Sequence, residues 1–265
     1  MQFVWLIPLG FFAGAYGTLI GAGGGFVLVP ALLLFYPREA PETITSISLA
    51  VVFFNALSGT LAYTRAKRID YRSAVIFSVA TIPGAILGAI GTIRMSRAGF
   101  DLLFGSILVL VAIFLAINPG PKSAASIAQI EFQTQGLFEL SLSTLIAGAA
   151  LSTVLGFLSS FLGIGGGFMY VPALIYLLRF PVHIATATSL FILAVTAFTG
   201  SATHILAGFF HHGIRRTIAL AIGAILGAQF GAKLSQRMQG DWIVRGLAIA
   251  LGMVGLQLIV SSLWP

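Results

Sequence analysis

The chain reads GAGGGFVLVPAL over residues 21–32 and GIGGGFMYVPAL over residues 163–174, so nine of the twelve positions are identical in the two copies. Glycine lowers helix stability by about 1 kcal/mol per residue relative to alanine, so four glycines in five positions predict a break in a helix. A repeat of this kind predicts two homologous halves, each with one broken helix.

Two further blocks repeat in the same order. Ser48-Leu49 returns as Ser189-Leu190, and the sequence GAILGA at 84–89 returns unchanged at 223–228. Three blocks in one order make a chance match a poor explanation. The internal repeat therefore covers most of each half.

The composition predicts lipid as the solvent of this chain. Its 265 residues are 58% hydrophobic and 8% charged, with a mean hydropathy of +1.04, whereas soluble domains carry about 25% charged residues. The net charge of +7 lies at the ends of apolar stretches, where it orients loops and contacts lipid headgroups, so we expect no nucleic-acid partner. The chain has no cysteine, which excludes disulfides and thiolate metal sites.

Apolar stretches separated by short polar ones predict an all-α polytopic membrane protein. The longest polar stretch contains Pro119-Gly120-Pro121, which predicts a connector at 118–139 between a first transmembrane repeat at 1–117 and a second at 140–265. The N-terminal stretch lacks the basic region of a signal peptide, so we interpret it as a retained span. The ten apolar stretches are 3–20, 26–36, 43–63, 73–92, 99–117, 140–162, 168–178, 184–208, 217–235 and 242–263.

The orientation of the halves depends on the number of crossings in each. With five helical segments per half the repeat is inverted, and the 14 basic residues divide nine to five between the two faces of the membrane. With four crossings per half they divide seven to seven. The positive-inside rule favours five plus five, with both termini outside.

The glycine runs predict an anion site. Backbone broken at membrane depth is tolerated where it lines a cavity, and broken helices in corresponding places of two halves indicate a transporter's binding site. The half-helices that follow would present unpaired N–H groups to an anion. A phosphate-binding loop is excluded because phenylalanine stands where lysine is needed. The predicted site residues are Gly21, Gly23, Gly24, Gly25, Phe26, Gly163, Gly165, Gly166, Gly167 and Phe168.

Spaced glycines have a different interpretation, because small residues at every fourth position let helices pack closely. We expect packing, and no binding role, for Gly10, Gly14, Gly84, Gly88, Gly223, Gly227 and Gly231.

Polar side chains concentrate in the third and eighth stretches. In a membrane helix each hydroxyl often bonds only to its own helix or to a neighbour. As a group in repeated positions, however, they predict hydrogen-bond donors that complete the shell of an anion. The candidates are Ser46, Ser48, Asn55, Thr186, Thr188 and Ser189.

Titratable groups are scarce within the predicted spans. All seven acidic residues lie in or beside predicted loops, which argues against a carboxylate proton relay. His204 is a candidate for proton coupling, and the alternative, which we favour, is a side chain that extends to the membrane surface near its helix end. His211-His212 resemble a loop pair without further ligands, so we expect no metal and no cofactor.

The duplicated glycine motif, each copy followed by Val-Pro-Ala-Leu, resembles the TauE/SafE family of sulfite and organosulfonate exporters over nearly the full length. The resemblance implies a permease of the bacterial inner membrane that moves small sulfur-containing anions such as sulfite or sulfoacetate outward. It supports the two glycine runs with Phe26 and Phe168 as the core of the motif. Pro83 has no counterpart in the second half, where the block reads Ile222-Gly223.

Two functions follow from these patterns. The first is a secondary transporter that works by alternating access around a midplane site at the two broken helices, and the second is an anion channel that uses the same half-helix termini. An intramembrane enzyme is disfavoured because the chain has no nucleophile elbow and no zinc-protease motif. The oligomeric state and the coupling ion stay open.

Overall fold

A computed structural model describes residues 4–36, 38–92, 95–117, 142–208, 213–235, 237 and 240–263, and these residues contain ten helical elements. The described ranges contain no strand. The elements are α1 Leu6–Ile20, α2 Gly25–Phe35, α3 Pro41–Arg65, α4 Tyr71–Thr92, α5 Arg97–Ile117, α6 Leu142–Leu162, α7 Gly167–Leu177, α8 Val182–Leu206, α9 Ile214–Ser235 and α10 Gly240–Leu263.

Seven of the described helices are long and apolar enough to cross a membrane, whereas α1, α2 and α7 are shorter. This confirms the prediction of an all-α polytopic membrane protein. Five described helical elements precede the connector and five follow it. The connector predicted at 118–139 lies outside the described residues, so the proposed division of the chain stays a prediction.

Helices of the two halves pack against each other in matching pairs. Helix α1 lies along α9 as α4 lies along α6, while α3 crosses α8 and α5 packs on α10. The first pair is parallel, since Gly223 faces Ile7 and Gly227 faces Phe11. Helices α3 and α8 are antiparallel, because Gly59 meets the Leu190 side chain and Gly200 meets that of Leu49. Halves of opposite direction are expected to pack in this way, and the inverted repeat stays a prediction.

Backbone contact between helices explains the spaced glycines. A Cβ atom added at Gly84 or Gly88 would collide with the carbonyl oxygen of Thr153 or Phe157 on α6. The packing role predicted for these residues is confirmed, because every one of them faces backbone atoms of its partner helix. The set is Gly10, Gly14, Gly84, Gly88, Gly223, Gly227 and Gly231.

The centre of the bundle is formed by α3 and α8. Their apolar windows are 78% and 67% buried, compared with 39–50% for the other membrane-length helices. Helix α3 begins with Pro41, which suits the first turn, and ends with Arg65, which suits the negative end of the helix dipole. Because these two helices carry the hydroxyl-rich segments, the polar side chains of the chain are brought to its middle.

Candidate functional site

The two glycine loops meet at the centre of the bundle. A Cβ atom at Gly25 would collide with the carbonyl oxygen of Ile164, and one at Gly167 would lie 2.5 Å from the carbonyl oxygen of Gly21. Every residue of both loops is buried. Two segments far apart in the chain therefore lie backbone against backbone in its interior.

Glycine is required in these loops for conformational reasons. Helix α1 ends at Gly21, which adopts a left-handed conformation with φ of 79°, and the second loop begins in the same way at Gly163, with φ of 71°. Gly23 and Gly24 also have positive φ, as do their counterparts in the second loop. Other L-residues rarely adopt this conformation. The predicted break in each half is confirmed.

Each loop leads directly into the N-terminus of a helix. Helix α2 starts at Gly25 and α7 starts at Gly167. Within the described residues, no hydrogen bond is made by the N–H groups of Gly25, Phe26, Gly167 or Phe168. Unpaired N–H groups and the positive end of the helix dipole attract anions. The geometry is thus suited to an anion.

In each of these two short helices, a proline leaves one backbone carbonyl oxygen without its usual N–H donor. Pro30 in α2 and Pro172 in α7 lie five positions after the first helical glycine. A proline has no N–H to donate to the carbonyl four positions earlier, which here belongs to Phe26 or Phe168. In α7 the turn after Pro172, Ala173–Leu177, is π-helical. Both short helices therefore differ from an uninterrupted transmembrane span.

One face of α3 is turned towards the second glycine loop. Thr45 contacts Gly163, and Val52 contacts Gly165. Ser48 lies between them on the same helical face, since residues three and four apart are neighbours. The Ser48 hydroxyl is fully buried and has no hydrogen-bond partner among the described residues. It is available as a donor to a ligand.

The matching face of α8 is turned towards the first glycine loop. Thr186 and Ser189 contact Gly21, and Leu193 contacts Gly23. The Ser189 hydroxyl lies 2.9 Å from the carbonyl oxygens of both Gly21 and Thr186. Ser48 and Ser189 are thus equivalent in sequence, but among the described residues only the Ser189 hydroxyl has a hydrogen-bond partner.

Asn55 supplies a second available donor. Its side-chain oxygen accepts a hydrogen bond from the Thr18 hydroxyl at 3.3 Å, while its amide nitrogen is buried and has no partner in the described part of the chain. Asn55 also lies against Gly14 of α1. A buried amide N–H without an acceptor is costly, which favours a ligand at this position.

The remaining predicted donors already have partners within the protein. The Ser46 hydroxyl donates to the Thr43 carbonyl at 2.8 Å, and the Thr186 hydroxyl donates to that of Val182 at 2.8 Å. The Thr188 hydroxyl accepts the Asp70 backbone N–H at 3.2 Å. These contacts fit the alternative that such hydroxyls bond to their own helix or a neighbour, and a ligand role for them stays a prediction.

His204 is 1% exposed. The favoured expectation that it extends to the membrane surface is therefore wrong, because the face of α8 that carries His204 is packed inside the fold, although the neighbouring Leu206 is exposed. Its counterpart in the first half is Tyr63, which is also buried and donates to the Thr18 carbonyl at 3.1 Å. The role of His204 in proton coupling stays a prediction.

His211 and His212 lie outside the described residues, and the described residues contain no group of three or more metal-ligating side chains.

Sequence reasoning missed the apolar contact between the loops. Val52 and Leu193, both fully buried, each touch Gly23 and Gly165. They occupy equivalent positions of the two halves, as Ser48 and Ser189 do. That equivalence in the repeat is the sequence feature that could have identified them. A second missed group is polar: the Tyr170 hydroxyl lies 3.1 Å from that of Thr81, which lies 3.1 Å from that of Thr196.

Comparison with known proteins identifies a family of membrane transporters. The family described as "Sulfite exporter TauE/SafE" matches residues 6–258. The chain is 35% identical to "Probable membrane transporter protein YunE" of Bacillus subtilis, with both chains covered in full. It is 25% identical to a "Probable membrane transporter protein" of Methanocaldococcus jannaschii, covering 98% of this chain and 97% of that one. No solved structure matches.

Proposed function

This chain belongs to the sulfite exporter TauE/SafE family of membrane transporters, and we propose that it exports small sulfur-containing anions, such as sulfite or organosulfonates, across the bacterial inner membrane. The meeting of the two glycine loops carries the proposal. It places the N-termini of α2 and α7 together in the buried centre of the bundle, where backbone N–H groups bind an oxyanion without a basic side chain.

Two side chains complete the binding shell. The Ser48 hydroxyl and the Asn55 amide are buried donors without partners in the described structure, and both belong to α3. A sulfite or sulfonate group has three oxygens that accept hydrogen bonds, so backbone N–H groups from the loops and these two donors suit it. The family description supports sulfur as the central atom of the anion.

Transport proceeds by alternating access around this site. Val52 and Leu193 fill the space between the loops and are fully buried, as are the loops, so the structure corresponds to a closed state. Opening to either side requires α3 and α8 to separate from the loop of the opposite half. The antiparallel pairing of these helices suits two halves that rock against each other.

Flux into proteoliposomes tests the proposed function. The full chain is reconstituted with internal unlabelled sulfite or sulfoacetate, and the entry of labelled anion is followed. We expect saturable counterflow that is slowed at least tenfold in Ser48→Ala and unchanged in Ser46→Ala, whose hydroxyl already bonds to Thr43. Flux equal to that of empty liposomes for every sulfur anion would contradict the proposal.

A channel remains the competing function, and the same preparation distinguishes it. Stepwise currents in planar bilayers without counterflow indicate a channel. Saturable counterflow without current steps indicates a transporter. The close contact of Val52 and Leu193 with both loops suits a transporter in a closed state.

A further inference from the structure

A cleft of about 300 Å³ opens between the C-terminal ends of α3 and α9. Three alanines line it, and its polar lining consists of Arg65, Gln229 and Lys233. Both cationic side chains belong to exposed residues. The described residues that line the cleft include no carboxylate, so none of them neutralises the two positive charges.

The helix dipole explains one cation at the end of each helix but does not explain the cleft between them. Basic residues are favourable in the last turn of any helix. Here, however, Ala62, Ala66 and Ala232 leave a space between the two charges that larger side chains would fill. The corresponding residue of Arg65 in the second half is Leu206, which is 88% exposed. Lys233 has a basic counterpart in Arg94, so the repeat accounts for one of the two cations but not for their pairing in a cleft.

The surroundings of the cleft belong to the membrane. On the adjoining turns, Leu61 is 53% exposed and Phe230 is 55% exposed, as expected for side chains in contact with acyl chains. The cleft lies at the ends of membrane-length helices, which places it at the level of the lipid headgroups. It is also on the face that carries nine of the 14 basic residues, the predicted inner face.

Gln229 connects the cleft to the interior. Its amide nitrogen lies 2.8 Å from both the hydroxyl and the carbonyl oxygen of Ser58. The Ser58 hydroxyl in turn donates to the Ile225 carbonyl of α9 at 3.0 Å. Ser58 lies one turn beyond Asn55 on α3. A ligand in the cleft would therefore contact both α3 and α9. Helix α3 also carries the candidate anion donors Ser48 and Asn55.

We propose that this cleft binds the phosphate group of an anionic phospholipid from the inner leaflet. The phosphate lies between Arg65 and Lys233, and the acyl chains follow the exposed apolar side chains of α3 and α9. Basic pockets between transmembrane helices at the cytoplasmic face recognise anionic headgroups in this way. The site is distinct from the central glycine loops and does not depend on which anion is transported.

Lipid binding to the purified full chain tests the proposal. Binding of phosphatidylglycerol, with phosphatidylcholine as the neutral reference, is measured by native mass spectrometry over a concentration series. The double variant Arg65→Gln/Lys233→Gln is expected to bind phosphatidylglycerol about thirtyfold more weakly, given the contribution of each basic residue at a membrane surface. Arg65→Lys retains the charge and is expected to keep most of the binding.

The matched control removes two charges from the same face outside the cleft. Lys67→Gln/Arg72→Gln alters exposed residues near the cleft that do not line it, and we expect less than a threefold change. Equal losses in the two double variants would show attraction to a diffuse positive surface and overturn the proposal, as would no loss in either.

A second arm separates a lipid from a soluble anion. Inorganic phosphate is added to the protein in neutral detergent, and the unfolding temperature is recorded alongside that with phosphatidylglycerol. We expect stabilisation by the lipid alone, lost in Arg65→Gln/Lys233→Gln. If inorganic phosphate stabilises the chain equally and displaces the lipid, the cleft is a site for soluble anions and the lipid assignment is wrong.

Discussion

The corner between α2 and α3 and the corner between α7 and α8 follow the same Val-Pro-Ala-Leu sequence but are held differently. In the first corner, the Arg97 guanidinium from α5 donates to the carbonyl oxygens of Leu33 at 2.6 Å, Tyr36 at 3.3 Å and Glu39 at 3.2 Å. Arg216 from α9 pairs with Glu39 at 2.8 Å and lies 4.0 Å above the Tyr36 ring.

The second corner is closed by its own backbone. The Leu178 N–H donates to the Ala173 carbonyl at 3.3 Å, and the Phe180 N–H donates to the Leu174 carbonyl at 2.9 Å. The π-helical turn Ala173–Leu177 makes these bonds possible by widening the end of α7.

This difference shows that repeated sequence does not imply repeated anchorage. The first corner is attached to two other helices by charged side chains, while the second combines local backbone bonds with an edge-to-face contact between Tyr176 and Phe114 of α5. If the halves move against each other, their movements are not mirror images. Helix α2 is expected to move together with α5 and α9, to which its corner is joined by charged side chains.

Substitution of the equivalent loop glycines should give the largest difference between the halves. Gly24 and Gly166 both have positive φ, but a Cβ at Gly24 collides with the Ala13 backbone carbonyl, whereas one at Gly166 lies 2.6 Å from the Ser159 side chain. We expect Gly24→Ala to lower the free energy of unfolding by about 4 kcal/mol and Gly166→Ala by about 2 kcal/mol. Denaturant unfolding in mixed micelles measures both.

The double variant Gly166→Ala/Ser159→Gly provides the control for this prediction. Removing the Ser159 side chain relieves the collision and should recover part of the lost stability. No comparable rescue is expected for Gly24→Ala, because its neighbour is backbone. Equal losses at the two glycines would contradict the difference between the loops.

Removal of Arg97 should have the next largest effect. Arg97→Ala leaves three carbonyl oxygens at the end of α2 without the guanidinium, so we expect a loss of about 2–3 kcal/mol. The matched variant in the other corner, Arg179→Ala, changes an exposed residue and should cost less than about 0.5 kcal/mol. Similar losses of unfolding free energy in both variants would show that the Arg97 contacts do not stabilise the first corner.

The equivalent serines should separate stability from transport. Ser189→Ala removes a hydroxyl that holds the Gly21 carbonyl, so we expect a loss of about 1 kcal/mol in unfolding free energy. Ser48→Ala removes a buried hydroxyl without a partner among the described residues and should not destabilise the chain, although it slows anion flux. A stable Ser48→Ala variant with full flux would remove Ser48 from the binding shell.

The smallest effect is expected for the ion pair of the first corner. Glu39→Gln weakens its contact with Arg216, which is partly exposed, so the cost should be about 0.5 kcal/mol. High salt should reduce this cost further because salt screens exposed charges. The measurement is the difference in unfolding temperature between the parent chain and the variant at low and high salt, and a difference independent of salt would argue against an electrostatic role.

Much of the fold was predictable from local sequence. Glycine runs break helices wherever they occur, and long apolar stretches form helices in lipid, so the breaks at Gly21 and Gly163 and the membrane-length helices follow from the composition of short segments. The packing role of Gly84 and its equivalents was predictable for the same reason. The expectation for His204 failed because burial at a helix end depends on which other segments cover it.

The chemistry of the backbone and the apolar periodicity are local properties, and they are sufficient to predict an all-α membrane protein with a helix break at each glycine run. Contacts between distant segments depend on how whole helices pack. Only the tertiary structure therefore shows that Gly25 meets Ile164 and that Arg97 anchors one corner. It also shows that the Ser189 hydroxyl is bonded, whereas that of Ser48 has no partner in the described ranges. Equivalent residues acquire different partners because the surfaces that surround the two copies are not repeated.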